Sequence, residues 1–230
     1  MSAEIRNQRH NPERTSTRRS IEKVYGFENP FKPDPLTRKA ARFLRKPGCM
    51  LEVGCGEGAD SVFFARRGWT VRSFDKNADQ LRRFRRFRRD HRLSKITILN
   101  SDALRHRFEP NRFDAVLCIL VLCCMKRSEF EALLGPLRNS VKLGGFIVAS
   151  ARNYLDPEFK KFRTSERMIE RNTFKDPDEC CRFLYFFEKD QMRRSFPDFE
   201  ILHYREGHGP CKYGEHQFHG DSEIICRRVK

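Results

Sequence analysis

The stretch Leu51-Glu52-Val53-Gly54-Cys55-Gly56-Glu57-Gly58-Ala59-Asp60 decides the fold. An apolar run from Met50 to Gly54 reads as a strand, and the segment from Ala59 to Arg67 reads as a helix. Between them Gly54, Gly56 and Gly58 let the backbone turn tightly and come close to a ligand at the helix N-terminus. Read as Gly54-x-Gly56-x-x-Ala59, the segment also satisfies a dinucleotide-binding pattern, so the glycines alone leave the cofactor class open. Two acids narrow it. Glu52 stands two residues before the first glycine, placed to meet a cationic ligand group and poorly suited to a pyrophosphate. Asp75 ends the next strand, where a carboxylate accepts hydrogen bonds from a ribose diol.

Working outward, strand-like and helix-like runs alternate. Strands are expected over Met50–Gly54, Thr70–Asp75, Ile96–Asn100, Phe113–Ile119 and Gly145–Ser150, and helices near Ala59–Arg67, Asn77–His91 and Arg127–Val141. Alternation at this spacing implies a parallel sheet covered on both faces. The end of the chain differs. A helix over Glu188–Phe196 is followed by strands Phe199–Arg205 and Ser222–Arg228 around a Gly/His-rich loop, which implies an antiparallel pair at one sheet edge. The expected fold is α/β, Rossmann-like and doubly wound, with a mostly parallel seven-stranded sheet and an antiparallel C-terminal edge pair. Residues 151–187 fit no clean pattern. Upstream, the prolines at 30, 33 and 35 enforce an extended lead-in to a short helix carrying Leu36, Ala40, Phe43 and Leu44. Residues 1–20 are polar and aperiodic and read as a flexible basic arm, so one domain is expected over 21–230.

The chain has 230 residues, of which 38% are hydrophobic and 12% aromatic, enough for a real core and too many for a mainly disordered chain. No run of 18 apolar residues occurs and the mean hydropathy is −0.73, so no transmembrane segment is expected. The first twenty residues lack the apolar core of a secretory signal, and a cytoplasmic location is the expectation. Nine cysteines, with adjacent pairs at Cys123-Cys124 and Cys180-Cys181 and no C-x-x-C, indicate neither a disulfide framework nor a ribbon-type zinc site; all are read as reduced thiols. Forty-seven basic against 31 acidic residues give a net charge of +16, which concentrates anionic ligands, nucleic acid or phospholipid surface near the protein.

The glycine loop preceded by an acid, Asp75 after the second strand and the Asn100-Ser101-Asp102-Ala103 step after the third together resemble the class I S-adenosylmethionine-dependent methyltransferases. The lead-in VYGFENPF, the match beginning at LEVGCGEGADSVFFARRGWTVRSFDKN and the ending YFFEKDQMRRSFPDFEILHYRE are similar to the tellurite-resistance group of that family and its thiopurine-methyltransferase-like relatives. The resemblance implies S-adenosyl-L-methionine as cofactor. It assigns to cofactor binding Glu52, Gly54, Cys55, Gly56, Gly58, Asp75, Lys76, Asp102, Ala103 and Cys118, with Asp75 holding the ribose and Asp102 the adenine amino group. It places Cys118 and Ile119 near the reacting methyl. The chain departs from the group between Asn153 and Arg182, which is longer and more charged.

Methyl transfer from a sulfonium depends mostly on holding donor and acceptor in line at near-attack distance, an effect worth up to about 7–11 kcal/mol. An alcohol or protonated amine also needs a general base, and the fourth strand ends in Cys118-Ile119-Leu120-Val121 with no carboxylate or histidine. That favours a small soft acceptor: a thiol, or a selenium or tellurium oxyanion. Arg193, Arg194 and His208 are the expected catalytic residues that orient it, with His216, His219 and Arg205 adding positive charge. His208, Cys211, His216 and His219 match no zinc spacing, and no metal is expected. The alternative is an RNA or protein methyltransferase docking its substrate through the basic arm and the helix bearing Arg82, Arg83, Arg85, Arg86, Arg88 and Arg89, which offers a contact for nucleic acid or an anionic surface. A third reading, of another class, is a non-catalytic module that keeps the cofactor fold.

Overall fold

The computed structural model describes residues 32–176, 181–210 and 218–230. The expected basic arm, the start of the proline lead-in, Cys180, Cys211 and His216 lie outside the described residues.

Helix α1 covers Pro35–Ala40, capped by the Asp34 side chain, and leads into strand β1, Cys49–Val53. Then follow α2 (Ala59–Ala65), β2 (Thr70–Asp75), α3 (Ala78–Asp90), β3 (Ile96–Asn100), β4 (Phe113–Ile119), α4 (Arg127–Ser140) and β5 (Val141–Arg152). The rest of the chain supplies α5 (Pro157–Arg163), three short strands β6 (Met168–Glu170), β7 (Thr173–Lys175) and β8 (Phe183–Tyr185), α6 (Gln191–Arg194), β9 (Phe199–Pro210) and β10 (Phe218–Arg228).

Seven strands form one sheet in the order β3-β2-β1-β4-β5-β10-β9. β1 pairs in parallel with both β2 and β4, whereas β10 runs antiparallel to β5 and β9. The expected doubly wound sheet and antiparallel edge pair are therefore present. Strand order reverses between β1 and β4, and open α/β sheets bind ligands outside the strand ends at that point.

Burial alternates along the central strands as the pleat requires. Leu51, Val53, Val116 and Cys118 face a core closed by Phe130, Leu133 and Leu137 of α4 and Met192 of α6. Met50, Ala115 and Leu117 face the opposite core, closed by Leu36 and Ala40 of α1, Val62 and Phe64 of α2, and Leu81 and Phe84 of α3.

Residues 151–187, which show no pattern in sequence, are ordered differently. β6, β7 and β8 make a separate antiparallel sheet, and with α5 it encloses a third core of Phe159, Phe162, Phe174, Leu184 and Phe186. Three-residue strands are too short for a period to show. The expected helix over Glu188–Phe196 is a single turn, because Asp190 adopts a left-handed φ of 57° at its start. β9 and β10 extend beyond their expected bounds, and β5 starts earlier, at Val141. Cys124 and Cys181 are paired as a disulfide across 57 residues, with Cα atoms 5.2 Å apart, which corrects the reading of every cysteine as a reduced thiol. No local motif announces that pair; tertiary packing of the turn after β4 against the approach to β8 creates it.

Candidate active site at the strand ends

Gly54, Gly56 and Gly58 all adopt left-handed φ angles, 69°, 53° and 83°. At two of them the space is also filled. A Cβ on Gly58 would stand 2.1 Å from the Phe84 ring, and one on Gly54 would stand 2.3 Å from Val121 Cγ2. Gly56 differs: the nearest atom to such a Cβ is Gln80 Oε1 at 3.4 Å. The loop is thus clamped at its ends by α3 and the turn after β4, while its middle glycine leaves room for another group to approach the backbone.

Hydrogen bonds fix this shape. The Gly54 and Cys55 N–H groups both donate to the Phe74 carbonyl, at 2.9 and 3.0 Å. The Gly56 N–H donates to Asp75 Oδ2 at 2.9 Å, and the Asn77 N–H donates to Oδ1 at 2.8 Å. Asp75 is therefore held against the glycine loop, and each of its oxygens keeps a further lone pair for a ligand hydroxyl. Asn77 caps α3 by accepting from Asp79 and Gln80 N–H. Arg83 reaches from α3 to Glu57 of the loop at 2.6 Å.

Asp102 stands at the neighbouring strand end. The Ser101 N–H donates to the Asp75 carbonyl at 3.0 Å, and Asp102 Oδ1 accepts from the Leu104 N–H at 2.9 Å. The structure thus brings Gly56, Asp75 and Asp102 to adjacent strand ends. Asp102 also carries a turn-capping role. Ala103 lies beside it, and with Leu104, His106, Phe108, Leu133 and Pro136 lines a cavity of about 100 Å³. His106 stacks on Phe74 with ring centroids 4.1 Å apart, and burial holds its pKa below the ordinary histidine value, reinforced by Arg72.

Four other expected cofactor residues are placed differently. Glu52 is 4% exposed and accepts from the Ser61 hydroxyl, which also contacts the Ser73 hydroxyl. It ties β1 to α2 and β2 beneath the loop rather than presenting a carboxylate to a ligand. Burial pushes its pKa well above the carboxylate range, and the nearby charges of Asp60 and Asp75 push the same way. Cys118, expected near a reacting methyl, is fully buried in the core facing α4, because its place in the pleat turns it there; burial raises its thiol pKa. Lys76 is exposed and contributes its carbonyl to Asn100 Nδ2. Cys55 is buried, its sulfur 3.8 Å from the Gly56 carbonyl.

The end of β4 carries a signal that sequence alone did not give. Leu120 adopts a φ of 55°, an uncommon backbone for a bulky residue and one that marks functional turns. Its N–H donates to the carbonyl and hydroxyl oxygens of Ser150, at 3.0 and 3.2 Å. The next residue is the Val121 that abuts Gly54.

Beyond β5 a polar node closes the same end of the sheet. Arg152 contacts Asp156 at 3.2 Å, Glu158 at 2.7 Å and His219 at 2.7 Å. Asp156 is fully buried and also accepts from the N–H groups of Glu158 and Gly220. Burial opposes its ionisation, yet the His219 hydrogen bond and the Arg152 charge hold its pKa below the ordinary value. His208 joins this node, with Nε2 3.1 Å from the Leu155 carbonyl.

Arg193 and Arg194 do not join it. Arg193 lies over the Tyr204 ring at 5.0 Å, and Arg194 donates to the Lys189 carbonyl at 3.0 Å. They flank β9, at the sheet edge, which lies four strand spacings from β1, or about 19 Å at 4.8 Å each. Arg205 pairs with Asp221 at 2.7 Å and Glu223 at 2.8 Å, so its charge is already matched. Four of the six helix arginines are likewise paired: Arg82 with Asp79, Arg83 with Glu57, and Arg86 and Arg89 with Asp90.

A family described as a methyltransferase domain matches residues 50–145. The sterol 24-C-methyltransferase of Kluyveromyces lactis is 24% identical over 154 residues, 60% of this chain and 41% of that protein. The probable S-adenosyl-L-methionine-dependent methyltransferase TehB of Haemophilus influenzae is 21% identical over 172 residues, 74% of this chain and 52% of that one. Its crystal structure superposes with a TM-score of 0.68 at 17% identity, covering 85% of this chain and 62% of that chain. A methyltransferase of Burkholderia thailandensis, solved with 1,6-didemethyltoxoflavin and S-adenosylhomocysteine bound, gives 0.68 at 14% identity, covering 98% and 94%. The chain spans about half the length, or less, of the curated relatives it matches.

Proposed function

We propose that the chain is a class I S-adenosylmethionine-dependent methyltransferase similar to the TehB group, and that it methylates a small soft nucleophile: a thiol, or a selenium or tellurium oxyanion. One observation carries the reading. Three left-handed glycines present an open backbone at Gly56 directly beside Asp75, and Val121 at the end of β4 packs on the same loop. These residues fit an adenosyl donor. Asp75 would accept the ribose hydroxyls, Asp102 the adenine amino group, and Gly56 would let the amino-acid end lie against the backbone.

When bound, S-adenosylmethionine supplies a methyl group on a positively charged sulfur. The chain's own contribution is placement. The paired N–H donors to Phe74 and Asp75 hold the loop rigid, so little reorganisation remains when the reactants meet. Residues 118–124, at the end of β4, carry no carboxylate or imidazole to take a proton, which suits an acceptor that is already deprotonated or soft. His208 lies at the same end of the sheet as the glycine loop and is the group that would orient an anionic acceptor, while the Arg152 charge is matched by Asp156 and Glu158.

Transfer of labelled methyl from S-adenosylmethionine to a panel of thiols, selenite, tellurite and total RNA tests this reading. Label in a thiol or chalcogen product is expected. Label confined to RNA would overturn it.

A further inference from the structure

Cys124 and Cys181 stand apart from the other cysteines. Among the described residues Cys55, Cys118, Cys123 and Cys226 are buried, and burial raises the thiol pKa of each. Cys124 and Cys181 are half-exposed and have their sulfurs brought together, with a Cα separation inside the range a disulfide needs. Cys49 is also partly exposed, but among the described cysteines this pair alone is joined sulfur to sulfur.

The pair also spans a functional boundary. Cys124 closes the turn after β4, its N–H donating to the Val121 carbonyl at 2.9 Å, and Val121 is the residue packed on Gly54. Cys181 leads into β8 of the small sheet. Other links between this turn, the start of α4 and that sheet are three hydrogen bonds, Tyr185 N–H to the Cys123 carbonyl at 2.8 Å, Arg127 N–H to Thr173 Oγ1 at 3.2 Å and Ser128 N–H to Glu170 at 3.2 Å, together with the Tyr185 ring packed near Phe130; none of them is covalent.

We infer that Cys124 and Cys181 form a reversible oxidative modification site, which fastens the β6–β8 sheet to the turn against the donor loop. The inference rests on the proposed methyl-donor role of the glycine loop that this turn packs against. With hydrogen peroxide as oxidant, one thiolate attacks a peroxide oxygen and becomes a sulfenic acid as hydroxide leaves. The second thiol then displaces water, so two thiols and one peroxide give one disulfide and two waters. A dithiol reductant reverses the link by exchange and is itself oxidised. Oxidation stiffens the small sheet and leaves the glycine loop as it was.

The test treats the full chain with hydrogen peroxide or with dithiothreitol, maps peptides without reduction, and follows amide hydrogen exchange at 173–175 and 183–185. Expected are a Cys124–Cys181 peptide in the oxidised sample and exchange slowed there by roughly tenfold relative to the reduced sample, since local opening sets these rates. Exchange at 54–58 stays unchanged. Cys124→Ser and Cys181→Ser each remain at the reduced rate under both treatments. Absence of the cross-linked peptide, or equal exchange in the two wild-type samples, would overturn the inference. None of these readouts requires methyl transfer, so the site and the proposed activity stand or fall separately.

Discussion

The glycine-loop half of the sheet, the proposed donor side, and the small sheet with the Arg152 node, which we take as the acceptor side, are ordered by different physics. The donor side, from β1 to β3, is local: an apolar strand, a glycine turn and a capped helix follow one another in sequence, and the hydrogen bonds that fix the loop run between neighbouring strands. The acceptor side is assembled from distance. Its small core joins α5 to strands of three residues each, and its polar node draws Arg152 from β5 and His219 from β10.

The contrast is broken most forcefully through the small core. Phe174→Ala removes a fully buried ring packed against Phe159, Phe162 and Phe186. A loss of about 3–5 kcal/mol is expected for such a truncation. In urea denaturation it shows as an early transition of the acceptor side, while calorimetry finds S-adenosylhomocysteine affinity retained. Coupled loss of both would mean that the two sides are one unit.

Gly58→Ala attacks the donor side. It meets the Phe84 ring and forces a side chain into φ 83°, and overpacking plus the left-handed strain cost about 2–5 kcal/mol together. Here cofactor affinity falls together with stability, the reverse of the Phe174 outcome.

A smaller effect sharpens the comparison at the far strands. Burial raises the Asp221 pKa to about 6 despite Arg205, with Glu223 adding to the rise. An acid whose folded pKa exceeds its unfolded value stabilises the fold while protonated, and that stability is lost as pH rises through about 6. Asp221→Asn should flatten the decline between pH 4 and 7 in thermal melts; an unchanged slope would assign the pH dependence to another group.

How much of this the sequence disclosed follows the same division. β2, β3 and β4 lie at their expected bounds, because apolar alternation flanked by Gly, Asp and Asn is a local signal. The Gly56–Asp75 juxtaposition was legible from the strand-turn-helix spacing. Glu52 is suggested by position alone, and the pleat turns it inward onto Ser61. The pleat likewise turns Cys118 into the core. Arg193 and Arg194 were assigned by charge, which carries no information on which strand lies where, and the order β4-β5-β10-β9 puts them at the edge. Leu120, the Arg152–His219 contact and the Cys124–Cys181 pair depend on contacts between residues 30 to 67 positions apart or on a strained dihedral, neither of which leaves a local trace.

The central claim is that Asp75, held against Gly56, forms the ribose end of a methyl-donor crevice. Calorimetric titration of S-adenosylhomocysteine into the wild type and Asp75→Ala tests it directly. The account predicts one saturable site in the wild type, weakened at least tenfold in the variant, about 1.4 kcal/mol or more, with a small drop in melting temperature as the Gly56 and Asn77 N–H groups lose their acceptor. Equal affinity in the two proteins, or no binding to the wild type, would contradict it.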